Sequence, residues 1–119
     1  MVFGLGCLVY AQHPRMIEVD RSYDGREVTL AVGEVVELSL AENPTTGFRW
    51  DFVVKPEAAC TIEKNTFEPA TGSPGKGGIH RWQFKAARPG IGVIDLEYRR
   101  PWEKESPASR TFKLTIRVQ

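Results

Sequence analysis

Hydrophobic and polar residues alternate with a period of two along most of the chain, which is the pattern of strands with one face against a core. The clearest run is residues 48–54, in which Arg49 and Asp51 separate larger apolar side chains. The positions predicted to point inward there are Phe48, Trp50, Phe52 and Val54. The other predicted strands cover residues 16–20, 27–32, 35–40, 60–67, 79–86, 91–98 and 111–118.

Turn-forming residues separate these runs, and the chain contains 11 glycines and 8 prolines. Asp24-Gly25, Gly33-Glu34 and Arg88-Pro89-Gly90 predict short turns, whereas residues 68–78 and 99–109 predict longer loops. No run has helical periodicity beyond one turn at residues 57–59. The pattern predicts an all-β, immunoglobulin-like antiparallel β-sandwich of about seven to eight strands, with Trp50 in the core. A closed barrel is the alternative architecture.

Length and charge narrow the possible functions. The 119 residues suit one domain, predicted over residues 15–119, after an N-terminal segment at 1–14. The 16 basic and 15 acidic side chains leave a net charge of +1. Such a balance argues against a nucleic-acid partner or an acidic membrane surface. We expect a monomer that needs no cofactor.

The N-terminal segment is apolar over residues 2–10, too short to span a bilayer. We interpret it as a signal-peptide remnant or a disordered segment, which slightly favours an exported protein over a cytoplasmic one. A start-site artefact or an extra edge segment is the alternative, because the basic residues that begin a signal peptide are missing. Cys7 and Cys60 permit one disulfide without implying it. His13 and His80 are far apart in sequence, so no metal site is predicted.

Three loop segments stand out as candidate binding elements. Their residues are Asn43, Pro44, Thr45, Thr46, Gly47 and Phe48 in the first, Gly75, Lys76, Gly77 and Gly78 in the second, and Arg100, Pro101 and Trp102 in the third. Trp102 follows a proline inside a charged turn, where a large aromatic side chain favours contact with a partner. The plainer interpretation is three ordinary turns, with Trp102 folded back onto its own domain.

The chemistry of the loops favours rigid contact surfaces over catalysis. Pro44 fixes its own φ, Gly47 can adopt a positive φ, and the Asn43 and threonine side chains can bond back to the loop backbone. The glycines around Lys76 cannot form the usual phosphate cradle, because a strand follows them where a helix is needed. No nucleophile–base pair, acid pair or metal-ligand set can be placed, so an enzyme is not expected.

The three segments in this order, NPTTGF, GKGG and RPW, resemble the chagasin-type inhibitors of papain-like cysteine peptidases. The resemblance implies an immunoglobulin-like sandwich whose three loops lie side by side and fill the active-site cleft of the peptidase. It implies that Thr45 and Thr46 meet the catalytic cysteine and histidine. The glycine-rich loop would follow one wall of the cleft, and Trp102 would pack on the opposite wall.

A different class of protein remains as the second hypothesis. An immunoglobulin-like adhesion or assembly module would also present loops, to another protein or to a carbohydrate. A sandwich fold alone does not separate the two functions. Inhibition of papain at stoichiometric protein separates them.

Overall fold

Eight strands and two short 3₁₀ turns make up the regular structure in the computed structural model, which describes residues 15–54, 58–72 and 75–119. The strands are β1 (Met16–Val19), β2 (Arg26–Leu30), β3 (Val35–Glu42), β4 (Arg49–Val54), β5 (Cys60–Pro69), β6 (Gly78–Ala86), β7 (Gly90–Arg99) and β8 (Arg110–Val118). The 3₁₀ turns are Arg21–Tyr23 and Pro44–Thr46. No helix in the described ranges is long and apolar enough to cross a membrane.

The strands form two four-stranded sheets, with the orders β1-β3-β6-β5 and β2-β8-β7-β4. This confirms the predicted all-β, immunoglobulin-like sandwich. The pairs β3–β6, β5–β6, β4–β7 and β7–β8 are antiparallel, as predicted. The two edge pairs, β1–β3 and β2–β8, are parallel instead. β1 and β2 follow each other in the sequence but belong to opposite sheets, so they do not form a hairpin. Each pairs with a strand further along the chain that runs in the same direction, β1 with β3 and β2 with β8.

Alternating side chains fill the space between the sheets. The largest fully buried ones include Trp82, Phe84, Phe112 and Leu114, and Trp50 is only 8% exposed. On β7, the buried positions are Ile94, Leu96 and Tyr98. The predicted core position of Trp50 is therefore confirmed.

Two apolar residues at the ends of predicted strands are exposed. Val54 is 66% exposed because a β-bulge between Phe52 and Val54 shifts the register of β4 against β7. Val32 is 50% exposed because β2 ends at Leu30 and the chain turns before Val35. In both strands, the alternation of buried and exposed side chains ends one or two residues before the last apolar residue.

The long loop predicted at residues 68–78 is shorter than expected. β5 continues to Pro69, which pairs with Gly78 of β6, so the loop covers residues 70–77. The Ala70 N–H donates to the Gly77 carbonyl at 2.8 Å and closes the hairpin. A Cβ atom on Gly78 would lie 2.0 Å from the Glu68 carbonyl oxygen, so only glycine allows this close approach.

Cys60 lies in the core with 1% of its surface exposed, and it is a free cysteine. Burial raises the pKa of its thiol above the ordinary value. Its candidate disulfide partner, Cys7, lies outside the described residues, as does Glu57 of the predicted helical turn. Ala58 and Ala59 form part of a turn.

Candidate functional site

The three predicted loops meet at one end of the sandwich. The first loop (residues 43–48) joins β3 to β4, the second (residues 70–77) joins β5 to β6, and the third (residues 100–109) joins β7 to β8. The first loop is the central one, since its residues contact both of the others. The candidate site is therefore one continuous surface formed from three hairpin and crossover connections.

Internal hydrogen bonds hold the first loop in a compact turn. The Asn43 side-chain oxygen accepts from the Thr45 N–H at 3.2 Å and also from the Thr45 hydroxyl. The Thr46 hydroxyl donates to the Asn43 carbonyl at 2.7 Å. Gly47 ends the 3₁₀ turn with φ +86°, a left-handed conformation that favours glycine. The two threonines are exposed although their hydroxyls bond back to the loop, as the sequence predicted.

The second loop lies directly against the first. The Asn43 side-chain amide donates to the Gly75 carbonyl at 3.1 Å. At Gly77, a Cβ atom would lie 2.6 Å from the Glu42 carbonyl oxygen, so the two backbones touch only because no side chain intervenes. Gly75 and Lys76 are exposed, whereas Gly78 belongs to β6.

The third loop attaches to the other side of the first through Arg100. The Arg100 side chain donates from Nε to the Thr46 carbonyl at 3.0 Å. Its guanidinium lies 4.6 Å from the centre of the Phe48 ring, and Nη1 is 3.4 Å from a Glu103 carboxylate oxygen. Arg100 therefore stacks on Phe48 and pairs with Glu103. Pro101 is exposed at the turn that follows.

Trp102 is the most exposed large hydrophobic side chain of the described residues, at 70%. Its ring lies over Gly47, where a Cβ atom would be 2.4 Å from Cη2 of the indole. Trp102 therefore folds back onto the first loop of its own domain by this edge, but it does not enter the core. The indole rests by one edge on the first loop and offers most of its surface to solvent.

A buried carboxylate that sequence analysis missed lies at the base of the first loop. Glu42 is 6% exposed and accepts a hydrogen bond from the Trp50 N–H at 2.8 Å. Glu42 precedes the loop and Trp50 follows it, so this bond closes the loop at its two ends. The signal was present, because the inward positions Val36, Leu38 and Leu40 continue at Glu42 with the same period.

His80 on β6 supports the same carboxylate. Its Nδ1 lies 3.0 Å from a Glu42 oxygen, its Nε2 contacts the Asn65 side-chain oxygen, and its ring stacks on Trp82 at 4.0 Å. Burial alone would raise the pKa of Glu42. The hydrogen bonds from His80 and the Trp50 amide, with the charges of His80 and Arg49, outweigh it and hold that pKa below its usual value.

Two further bonds fix the loop base to the opposite sheet. The Trp50 indole N–H donates to the Ala41 carbonyl at 2.9 Å. The Asn43 N–H donates to the Tyr98 hydroxyl, also at 2.9 Å, and the Tyr98 ring packs against both Trp50 and Phe48. Within the described ranges no cluster of three potential metal ligands occurs. Through their hydrogen bonds, Trp50 and Tyr98 hold the base of the first loop in place.

Replacing Glu42 tests its role in stability. Glu42→Gln keeps the shape but removes the charge, and we expect it to lower the free energy of unfolding by about 1–2 kcal/mol at neutral pH. Folding lowers the pKa of Glu42. The ionised carboxylate therefore stabilises the fold at pH values above its pKa in the unfolded chain, which is near 4.5. That stabilisation is lost as pH falls through the folded-state pKa.

Urea unfolding at about pH 7 and about pH 3 measures this difference. The difference in the free energy of unfolding between wild type and Glu42→Gln should be smaller at the lower pH. The matched control is Glu63→Gln on the exposed side of β5, which should change little at either pH. A difference that stays the same at both pH values would contradict this role of Glu42.

Comparisons with known proteins agree with this geometry. The model of the family described as Chagasin family peptidase inhibitor I42 matches residues 29–116. Chagasin from Trypanosoma cruzi is 33% identical over an alignment of 106 residues that covers 85% of this chain and 96% of the relative. Amoebiasin-1 from Entamoeba histolytica is 37% identical over 92 residues, which are 77% of this chain and 89% of the relative.

Solved structures share the fold. The cysteine protease inhibitor EhICP2 from Entamoeba histolytica superposes with a TM-score of 0.78 at 21% identity, covering 90% of this chain and 98% of its own. PbICP-C, whose structure was solved in complex with falcipain-2, has a TM-score of 0.60 at 20% identity, covering 89% and 91%. The matched family consists of peptidase inhibitors and not of enzymes. The chain belongs to the chagasin family of peptidase inhibitors.

Proposed function

We propose that this protein is a reversible, non-covalent inhibitor of papain-like cysteine peptidases that blocks the active-site cleft with its three adjacent loops. The observation that carries the proposal is the joining of the loops into one surface, from which Trp102 projects with 70% exposure. Family membership supplies the class of function. The related fold of PbICP-C, solved with falcipain-2, supports a peptidase of the papain type as the partner.

The first loop is suited to occupy a catalytic centre without being cleaved. A peptidase acts on an extended segment, whereas Pro44–Thr46 is a 3₁₀ turn. Two of its carbonyl groups are engaged in bonds that hold the turn: that of Pro44 accepts from the Gly47 N–H, and that of Thr46 accepts from Arg100 Nε. Extending this segment as a substrate would require the turn to open and these bonds to break. The exposed Thr45 and Thr46 would then lie against the catalytic pair.

The neighbouring loops would extend the contact along both walls of the cleft. The second loop offers exposed backbone at Gly75, and the third offers the Trp102 ring. All three are held in place before binding by the bonds between them, so association orders few groups and loses little conformational entropy. An aromatic side chain that enters a desolvated groove is the usual centre of such binding energy.

Titration of papain tests the proposal as a whole. We expect activity to fall in proportion to added protein, to return slowly on dilution, and the inhibitor to be recovered intact by mass spectrometry. Papain whose active-site cysteine is blocked by a bulky reagent is the control, and it should bind more weakly. Absence of inhibition at micromolar protein, or stoichiometric cleavage of the chain, would refute the proposal.

Trp102→Ala tests the third loop. Because most of the indole faces solvent, we expect binding to weaken by about 1–3 kcal/mol while the melting temperature hardly changes. Trp82→Ala is the contrasting variant, because Trp82 is 1% exposed and its truncation should destabilise the fold by about 3–5 kcal/mol. A large fall in the melting temperature of Trp102→Ala, with inhibition unchanged, would contradict the proposed contact.

Thr45→Asp tests whether the first loop enters the catalytic centre. A carboxylate there would be buried without a partner near the cysteine thiolate, so inhibition should be lost against two peptidases of different substrate preference. Thr45→Ala and Thr46→Ala should each cost only about 0.5–1.5 kcal/mol, the value of one hydrogen bond. Inhibition constants measure these effects.

The matched control is Thr29→Asp, at an exposed position of β2 that belongs to none of the three loops. It adds the same charge and should leave both inhibition constants near those of wild type. If Thr45→Asp inhibits both peptidases as strongly as Thr29→Asp does, the first loop does not enter the catalytic centre.

A further inference from the structure

Lys76 and Arg110 are two basic side chains at the loop end that have no acidic partner among the described residues. Both line a recess of about 150 Å³ beside the first loop, together with Asn43 and Tyr98. Six other basic side chains of the described residues are paired with carboxylates: Arg15, Arg81, Arg99, Arg100, Lys113 and Arg117. Arg49 and Lys104 at the loop end also form no ion pair with described residues, but they do not line this recess. Lys76 and Arg110 are thus free to bind an external anion.

The position of Arg110 is fixed relative to the first loop. Arg110 pairs with Tyr98 across β7 and β8, and its guanidinium lies 5.7 Å from the centre of the Tyr98 ring. The Tyr98 hydroxyl in turn accepts from the Asn43 N–H. Glu42 also lines the recess, but its carboxylate oxygens accept from Trp50 and contact His80. Both cations are exposed, so a partner can reach them.

Charge is distributed unevenly between this end and the rest of the chain. Residues 42–49, 75–78 and 100–110 carry five basic side chains and three acidic ones, Glu42 included, an excess of two positive charges. The whole chain has a net charge of only +1, so the remainder is net negative. Glu68, at the same end, is paired with Arg81 and does not offset the excess. A partner approaching the loops therefore meets a positive surface.

We propose that the recess between Lys76 and Arg110 binds a carboxylate side chain on the rim of the peptidase cleft, so that the preferred targets are peptidases with an acidic rim. The inference rests on the function proposed above. Two cations around a small recess provide charge-assisted hydrogen bonds to a carboxylate, which are stronger than neutral ones. The surrounding positive excess speeds association with a negatively charged partner.

Charge reversal at both positions tests the proposal. The variant is Lys76→Glu with Arg110→Glu, and the control is Lys64→Glu with Lys85→Glu. The control positions lie on β5 and β6, form no ion pair with described residues, and undergo the same change in charge. Association and dissociation rates are measured against two papain-like peptidases: an acidic peptidase, whose cleft rim carries carboxylates, and a basic peptidase, whose cleft rim does not. Melting temperatures show whether each variant is folded.

With the acidic peptidase, we expect the double reversal to slow association about tenfold and to speed dissociation about tenfold relative to the control variant. The loss in association rate should shrink from about 0.1 M to about 1 M salt, because the Debye length falls from about 10 Å to about 3 Å. With the basic peptidase, the reversal should not slow association. If the double variant does not fold, Lys76→Glu alone replaces it in the test. We then expect about half the change in the logarithm of each rate constant.

Two results would overturn the proposal. One is equal kinetics of the double reversal and the control with the acidic peptidase. The other is slower association with unchanged dissociation, which would mean that the charges act at a distance and contact no carboxylate. Failure of the proposed function is distinguishable, because the wild-type protein would then inhibit neither peptidase.

Discussion

The candidate site depends first on the buried carboxylate of Glu42. It accepts from the Trp50 N–H across the base of the first loop and contacts His80 on the neighbouring strand. Without it, the Trp50 amide would be a buried donor with no partner, which costs about 1–3 kcal/mol. One charged group therefore determines the separation of the two loop ends. The turn at Pro44–Thr46 then has little freedom to change its shape.

Close packing of the three loops depends on side chains that are absent. Gly77 allows the second loop to touch the backbone at Glu42, and Gly47 leaves room for the Trp102 ring. A Cβ atom at either position would lie within 2.6 Å of a neighbouring atom, so something would have to move. The two glycines thus allow the other two loops to pack directly against the first loop. Hydrogen bonds from the Asn43 and Arg100 side chains hold these contacts in place.

Most of the fold could be predicted because a single rule, the period of two, governs it. The rule failed at Val54, because a β-bulge shifts the register of β4 against β7. It also did not predict the parallel pairs at the sheet edges, because local sequence does not show which strands distant in the chain will pair. The loops were predictable from their glycines and prolines. The contact of Glu42 with His80 was not, because it depends on the register of β3 against β6, in which Leu40 lies opposite His80.

If this end of the molecule binds a peptidase as proposed above, the same arrangement accounts for its resistance to cleavage. Cleavage requires an accessible carbonyl in an extended segment, yet the carbonyls of Asn43, Pro44 and Thr46 already accept hydrogen bonds. The bond from Arg100 to Thr46 belongs to the third loop, so opening the turn would also release the support of Trp102. Resistance to cleavage and presentation of the indole are therefore coupled, since both depend on a first loop that stays closed.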